Sequence, residues 1–263
     1  MIVWLASYPR SGNTFIRLLL HHYFNVPTLD LYTPEIEPIG PRHKNHIAHL
    51  VGFRPMESFE ALDAEKEPAF VKTHELPDDD RPAIYVIRDG RDAITSYAHF
   101  ILTLEERCPK NEYPESFSKM IRHLVTDTER FGGWGAHVRA WTERQASTTI
   151  VHYSQLQRRP LETLQQAFAN LSLDVKSKTS GHRGRPIKFR ELQRMSPQLF
   201  RKGKSGSYSD EMPEAVEELF WEHHGELMDQ LGYPRRSRWH GLKNFWKKSL
   251  RCGPKRPVAS MRK

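Results

Sequence analysis

Four clusters of polar residues in this chain have the side chains needed to hold an oxyanion and to move a proton beside it. The first is Ser7-Tyr8-Pro9-Arg10-Ser11-Gly12-Asn13-Thr14, which joins the apolar run Ile2–Ala6 to an apolar-periodic segment. A glycine-containing turn that opens a helix presents unpaired backbone N–H groups and the positive helix end, a natural seat for anions. The spacing is that of the phosphate loop G-x-x-x-x-G-K-[ST], with Ser7 replacing the first glycine and Asn13 replacing the lysine. Without that lysine a nucleoside triphosphate loses its main cationic partner at the terminal phosphates. Arg10 supplies charge from another position, so the corner suits an oxyanion but not ATP. The competing reading is an ordinary strand–helix turn capped by Ser11 or Thr14.

The second cluster runs from Tyr85 to Tyr97. Arg88 ends an apolar strand, where an open parallel sheet binds its ligands, and Ser96 follows about two helical turns on. A guanidinium fork plus a hydroxyl donor suits a phosphate. The alternative makes Asp89 a magnesium-binding acid, but Arg88 and Arg91 flank it and disfavour a cation. Asp92 is expected to cap the helix. In the third cluster, Phe70-Val71-Lys72-Thr73-His74, a strand ends in a cation, a hydroxyl and an imidazole. Histidine is the side chain most readily poised to take a proton near neutral pH, and Lys72 is placed to neutralise charge that develops in transfer. The chain has 14 histidines, so only the company of two anion-binding strand ends raises His74 above a structural role. The fourth cluster, Phe200-Arg201-Lys202-Gly203-Lys204-Ser205-Gly206, reads either as a flap closing on a phosphate or as a solvated basic loop.

These clusters need a scaffold, and the pattern supplies one. Strands are expected at 2–6, 69–72, 83–88 and 148–152, and helices at 12–24, 91–104, 115–130, 134–146, 160–172 and 213–231. Short apolar strands separated by helices predict an α/β fold with a mainly parallel central sheet flanked by helices. Residues 25–67 are irregular and Pro-rich, and 174–209 read as a mobile basic flap. No boundary is evident before about residue 234, which gives a domain over 1–234 and a tail over 235–263.

Charge is unevenly placed. The net charge is +8, but the segment 235–263 holds eleven Lys or Arg and no acid, which leaves the rest at −3. A nucleic-acid partner is therefore not expected. No apolar run approaches the roughly 18 residues of a membrane span, and the N-terminus has no basic leader. Cys108 and Cys252 lack metal or redox spacing, which fits a cytoplasmic protein with free thiols. His43, His46 and His49 share helical spacing, yet no cysteine or placed acid completes a metal set. In the tail, Trp239, Leu242, Phe245, Trp246 and Leu250 recur at helical spacing among basic residues. That helix would either dock on the body or lie on an anionic membrane.

Taken together, the clusters resemble the sulfotransferases that use 3′-phosphoadenosine 5′-phosphosulfate (PAPS), in family order over residues 2–208. The resemblance implies a three-layer, phosphate-loop-like fold and a sulfuryl transfer that needs no metal. It implies that Arg10, Ser11, Gly12, Asn13 and Thr14 hold the 5′-phosphosulfate. Arg88, Ser96, Arg201, Lys202 and Gly203 would recognise the 3′-phosphate, and Phe15 and Tyr153 would contact adenine. His74 would deprotonate the acceptor while Lys72 stabilises charge. Ser207-Tyr208 stands where the family usually has Asp-Trp, and no dimer motif of the soluble animal enzymes is evident, so oligomeric state is open. The acceptor, a small molecule, a glycan or a lipid-borne group, would approach over 25–67 and 100–115. The competing functions are an ATP-dependent small-molecule kinase and a non-catalytic anion-binding protein recruited through its tail.

Overall fold

Val, Ile and Phe recur in four short runs bounded by turn residues; three are buried on both faces, as suits strands inside a sheet, while Thr148–His152 exposes Ile150. In the computed structural model, residues 1–31, 48, 50–55, 58–105, 108–176, 189–195, 197 and 200–235 are described. The strands are β1 (Ile2–Ala6), β2 (Thr28–Asp30), β3 (Ala69–Thr73), β4 (Ala83–Ile87) and β5 (Thr148–His152). They form one sheet in the order β2-β3-β1-β4-β5, with every pairing parallel.

Alternation along β1 divides the core into two layers. Val3 and Leu5 face Ile16, Leu19, Leu20 and Tyr23 of α1 (Asn13–Phe24), together with Leu164 and Phe168 of a later helix, Pro160–Asn170. Ile2, Trp4 and Ala6 face the opposite cluster. Helices α3 (Gly90–Phe100), α4 (Tyr113–Thr126), α5 (Gly133–Thr142) and α9 (Glu214–Gln230) supply Ile94, Tyr97, Leu124, Trp134, Trp141 and Phe220 to it. The remaining helices are α2 (Phe59–Asp63), α6 (Tyr153–Arg158), α7 (the Pro160–Asn170 helix) and α8 (Phe189–Met195). The result is the expected three-layer α/β arrangement.

Several boundaries depart from the sequence expectation. β2 lies inside the stretch read as irregular; at three residues after Pro27 it is too short to show alternation. The single helix expected over 91–104 is α3 followed by a π-helical turn, Ile101–Glu105. Helix α6 was not anticipated. The basic stretch 174–209 contains α8 and a 3₁₀ turn at Ser207–Asp210. His43, His46 and His49 and the tail from 236 onward lie outside the described residues. Among the described residues no helix is long and apolar enough to cross a membrane, and no three His, Cys, Asp or Glu side chains form a metal group.

Candidate active site

Connections leave β1 toward one side of the sheet and β4 toward the other, so the topological switch point lies between these two neighbours. Ligands of open α/β sheets bind outside the carboxyl ends of the strands at such a point. The loops there are residues 7–12 after β1 and residues 88–89 after β4.

The first loop is shaped by left-handed backbone at Arg10 (φ 65°) and Gly12 (φ 117°). Gly12 also lets a ring approach: a Cβ there would sit 2.6 Å from Cδ2 of Tyr153. Gly12 caps α1 without a side-chain bond. The first N–H groups of this helix therefore face the loop with no capping side chain. Asn13, in the position of the missing lysine, turns inward and donates from Nδ2 to the Leu5 carbonyl (2.7 Å) and to Ser7 Oγ (3.3 Å). Its side chain braces the loop rather than reaching out of it. Thr14 is half-buried at the second helical position. The Ser11 hydroxyl is buried and unpartnered among the described residues.

Positive charge converges on this loop. Arg10 Nε donates to Ser96 Oγ (3.3 Å), and its guanidinium lies 5.1 Å from the Phe100 ring centroid. Burial, then the nearby Arg88 charge, pulls the Arg10 pKa down to about 10, and Arg201 adds to the effect. Arg88 Nη1 donates to the Arg10 carbonyl (3.1 Å) and Nη2 to the Lys204 carbonyl (3.2 Å), while the guanidinium stacks 4.7 Å over Tyr153. Nε of Arg88 and Nε of Arg201 are buried without partners among the described residues. Phe15 meets Tyr153 edge-on, with centroids 5.9 Å apart. Like charges gathered in a protein interior repel unless an anion joins them. Three orphaned polar atoms and a left-handed glycine loop fit an anionic nucleotide.

The basic flap is fastened to this corner. Gln157 donates to the Gly203 carbonyl (2.6 Å) and accepts from Ser205 (3.1 Å). Asp92 accepts from the N–H groups of Gly206 (2.7 Å) and Tyr208 (2.9 Å) and from the Ser207 hydroxyl. The expectation that Asp92 caps α3 is thereby corrected: Asp89 is the cap, accepting from the Arg91 N–H (3.0 Å). Asp89 is also held by the Arg91 guanidinium (2.7 Å), which accounts for it without a metal. Arg201 and Lys202 do not point unaccompanied at Arg88. Arg201 forms a bidentate pair with Glu211 (2.6 and 2.8 Å), and Lys202 Nζ lies 3.2 Å from the same carboxylate. Despite partial burial, hydrogen bonds from His99 and Arg201 hold the Glu211 carboxyl well below its ordinary pKa.

At the end of β3, His74 brings its Nδ1 within 2.7 Å of the Ser7 carbonyl. A carbonyl only accepts, so Nδ1 carries the proton and Nε2 keeps its lone pair. Removal from water, then the Lys72 charge, holds the His74 pKa well below the ordinary imidazole value. The ring is thus neutral near pH 7. Lys72 is buried and pairs with Asp30 (3.4 Å), its register partner on β2; Arg17 of α1 reaches the same oxygen (2.9 Å).

A neutral imidazole, a buried ammonium and an anion loop at the carboxyl end of one sheet suit group transfer. Comparison with known proteins names the family. The family described as sulfotransferase domain matches residues 2–232. This chain belongs to that family. It is a PAPS-dependent sulfotransferase. Mouse Sulfotransferase 1E1 is 24% identical to it over 257 residues, covering 85% of this chain and 82% of its own. Rat Sulfotransferase 1 family member D1 is 24% identical over 264 residues, covering 87% and 83%. Among solved structures, mouse sulfotransferase SULT7A1 complexed with PAP matches with TM-score 0.60 at 19% identity, over 94% of this chain and 88% of that one. Retinol dehydratase in complex with androsterone and inactive cofactor PAP gives 0.54 at 19%, over 90% and 82%. Both share the fold.

Several residues around this sulfotransferase site escaped the sequence reading. Asp30 was hidden in a strand too short to recognise. Glu211 is one acid at the edge of a basic stretch, with no local signal that it would hold two cations. His137, on α5, was one histidine among many, yet its Nε2 lies 2.9 Å from the His74 carbonyl. The i, i+4 spacing of His137 and Trp141 was the available signal, and both side chains turn to the segment after β3.

Proposed function

We propose that this sulfotransferase moves a sulfuryl group from PAPS to a hydroxyl or amine of a small-molecule, glycan or lipid-borne acceptor, with His74 as general base. The observation that carries this reading is the bond between His74 Nδ1 and the carbonyl of Ser7, the first residue of the anion loop. It fixes a neutral base and the seat of the transferred group to one another. Nε2 takes the acceptor proton, the acceptor atom attacks sulfur, and the bond from sulfur to the phosphate oxygen breaks. Adenosine 3′,5′-bisphosphate leaves, and Lys72 offsets the charge on the departing oxygen. Arg10, Ser11, Gly12, Asn13 and Thr14 hold the 5′ end, Asn13 through its backbone. Arg88, Ser96, Arg201, Lys202 and Gly203 hold the 3′-phosphate, and Phe15 and Tyr153 flank the base. The PAP in the SULT7A1 and retinol dehydratase structures supports this donor.

The test is competition against labelled donor. Adenosine 3′,5′-bisphosphate should displace it and ATP should not; displacement by ATP alone would favour the kinase reading. Arg88→Ala and Arg201→Ala should weaken the 3′,5′-bisphosphate far more than adenosine 5′-phosphate. A charge-assisted bond contributes about 1.5–3 kcal/mol, so a loss of roughly tenfold or more is expected for each. Equal weakening of both nucleotides would remove the residues from the 3′-phosphate site.

We place the enzyme in the cytoplasm, supported by a sequence with two cysteines in no paired spacing. The basic aromatic tail gives it an electrostatic means of reaching a membrane-borne acceptor. Full-length protein should sediment with anionic vesicles at low salt, and a chain ending at Pro234 should not. Equal sedimentation of the two would leave the tail without a membrane role.

A further inference from the structure

His74 is held at two points, and both lead back to the anion loop. Its ring is fixed by the Ser7 carbonyl. Its backbone carbonyl accepts a hydrogen bond from Nε2 of His137, which is wholly buried (2.9 Å). Because Nε2 donates there, Nδ1 of the neutral His137 ring is an acceptor, and it lies 2.9 Å from the Tyr85 hydroxyl. Three groups therefore form one directed chain, from the Tyr85 hydroxyl through the His137 ring to the His74 carbonyl. Each donor meets one acceptor. The Tyr8 ring also lies edge-on to the His137 ring, with centroids 5.7 Å apart.

The chain works only in one protonation state. Protonated His137 would lose its acceptor nitrogen and break the link to Tyr85. Burial pulls the His137 pKa down to about 4, and burial raises that of Tyr85 well above 10, so neither link breaks across the neutral range. One helical turn further on, Trp141 Nε1 donates to the Glu75 carbonyl (2.9 Å) and stacks on Tyr85. Helix α5 thus grips two successive carbonyls of the segment that carries the base.

We infer that His137 is a positioning residue for sulfuryl transfer: held by the Tyr85 hydroxyl and packed against the ring of the loop residue Tyr8, it fixes the backbone of His74 relative to the anion loop. The inference rests on the proposed role of His74 as general base. Well-oriented reacting groups contribute several kcal/mol to catalysis, and a displacement of about 1 Å costs on the order of 100-fold.

The experiment places His137→Leu, His137→Gln and Tyr85→Phe separately in the wild-type and the His74→Ala backgrounds. The expected result is a fall in kcat of about 10- to 100-fold for His137→Leu, with the dissociation constant of adenosine 3′,5′-bisphosphate unchanged within about twofold. Glutamine offers one donor and one acceptor and should restore most of the rate. Tyr85→Phe removes only a hydroxyl, retains the fold if the leucine variant does not, and should lower kcat by roughly 3- to 10-fold. In the His74→Ala background none of the three should lower kcat further, because there is no base left to position. The same fold-loss in both backgrounds, or a loss that follows weakened nucleotide binding, would overturn the inference and leave His137 a core residue. Near-normal turnover of His74→Ala alone would instead overturn the general-base assignment, so the two failures are distinct.

Discussion

Replacing His74 by alanine should lower kcat by about two to four orders of magnitude while leaving nucleotide binding nearly intact. On the proposed mechanism the substitution removes Nε2, the lone pair that would receive the acceptor proton, but not the loop backbone or the arginines assigned to the nucleotide. The pH dependence gives a second readout with a defined sign. His74 carries a pKa well below the ordinary imidazole value of about 6.5 because it is withdrawn from water beside Lys72. A base with a lowered pKa stays unprotonated further into acid. The acid limb of kcat should therefore fall below about pH 6.5, with kcat flat above it, and Lys72→Ala should move the limb upward. Single-turnover measurements with labelled donor would show both effects. Near-normal turnover of His74→Ala would show that another group takes the proton.

Gly12→Ala should weaken binding of adenosine 3′,5′-bisphosphate by roughly 30-fold or more. Two costs act together at this residue. Its φ of 117° is a conformation that L side chains rarely adopt, worth about 1–3 kcal/mol of strain. The added methyl would also lie 2.6 Å from the Tyr153 ring. The ring is packed against Phe15 and under Arg88, so it has little freedom to retreat. The loop relaxes instead, and the nucleotide must restore the bound geometry at the expense of affinity. Calorimetric titration would measure the loss. Unchanged affinity would mean that neither the loop conformation nor the Tyr153 contact matters for the nucleotide.

The fold was legible where a segment is long enough to show its period. β1 and β5 have the expected bounds, and α1 begins one residue later than expected, at the turn set by Gly12. Strand order was not legible, because no local property of β3 announces that it inserts between β2 and β1. The clusters around Arg10, Arg88 and Ser96 could be read from their residue types, and the structure brings these three into contact. What the sequence concealed were the partners. Asp92 was assigned to its own helix because i, i+2 and i, i+3 bonds are the ones sequence spacing reveals. Its hydrogen-bond donors, Gly206, Ser207 and Tyr208, are more than a hundred residues away, and only its ion pair with Arg88 (3.7 Å) is local. The pairing of Lys72 with Asp30 follows from a strand register that no spacing discloses.

If Arg201 and Lys202 hold the 3′-phosphate as proposed, the grip of Glu211 on both makes this corner an ion exchanger. Both terminal nitrogens of Arg201 are already bonded to a carboxylate, which Lys202 and His99 also approach. An incoming anion is therefore weighed against a tethered rival of about one negative charge rather than against water. Chloride or a lone carboxylate gains little by the exchange, whereas a phosphate, with up to two charges and three oxygens, has the advantage. Under that proposed role the resident carboxylate sets a threshold that favours a multivalent phosphate over monoanions.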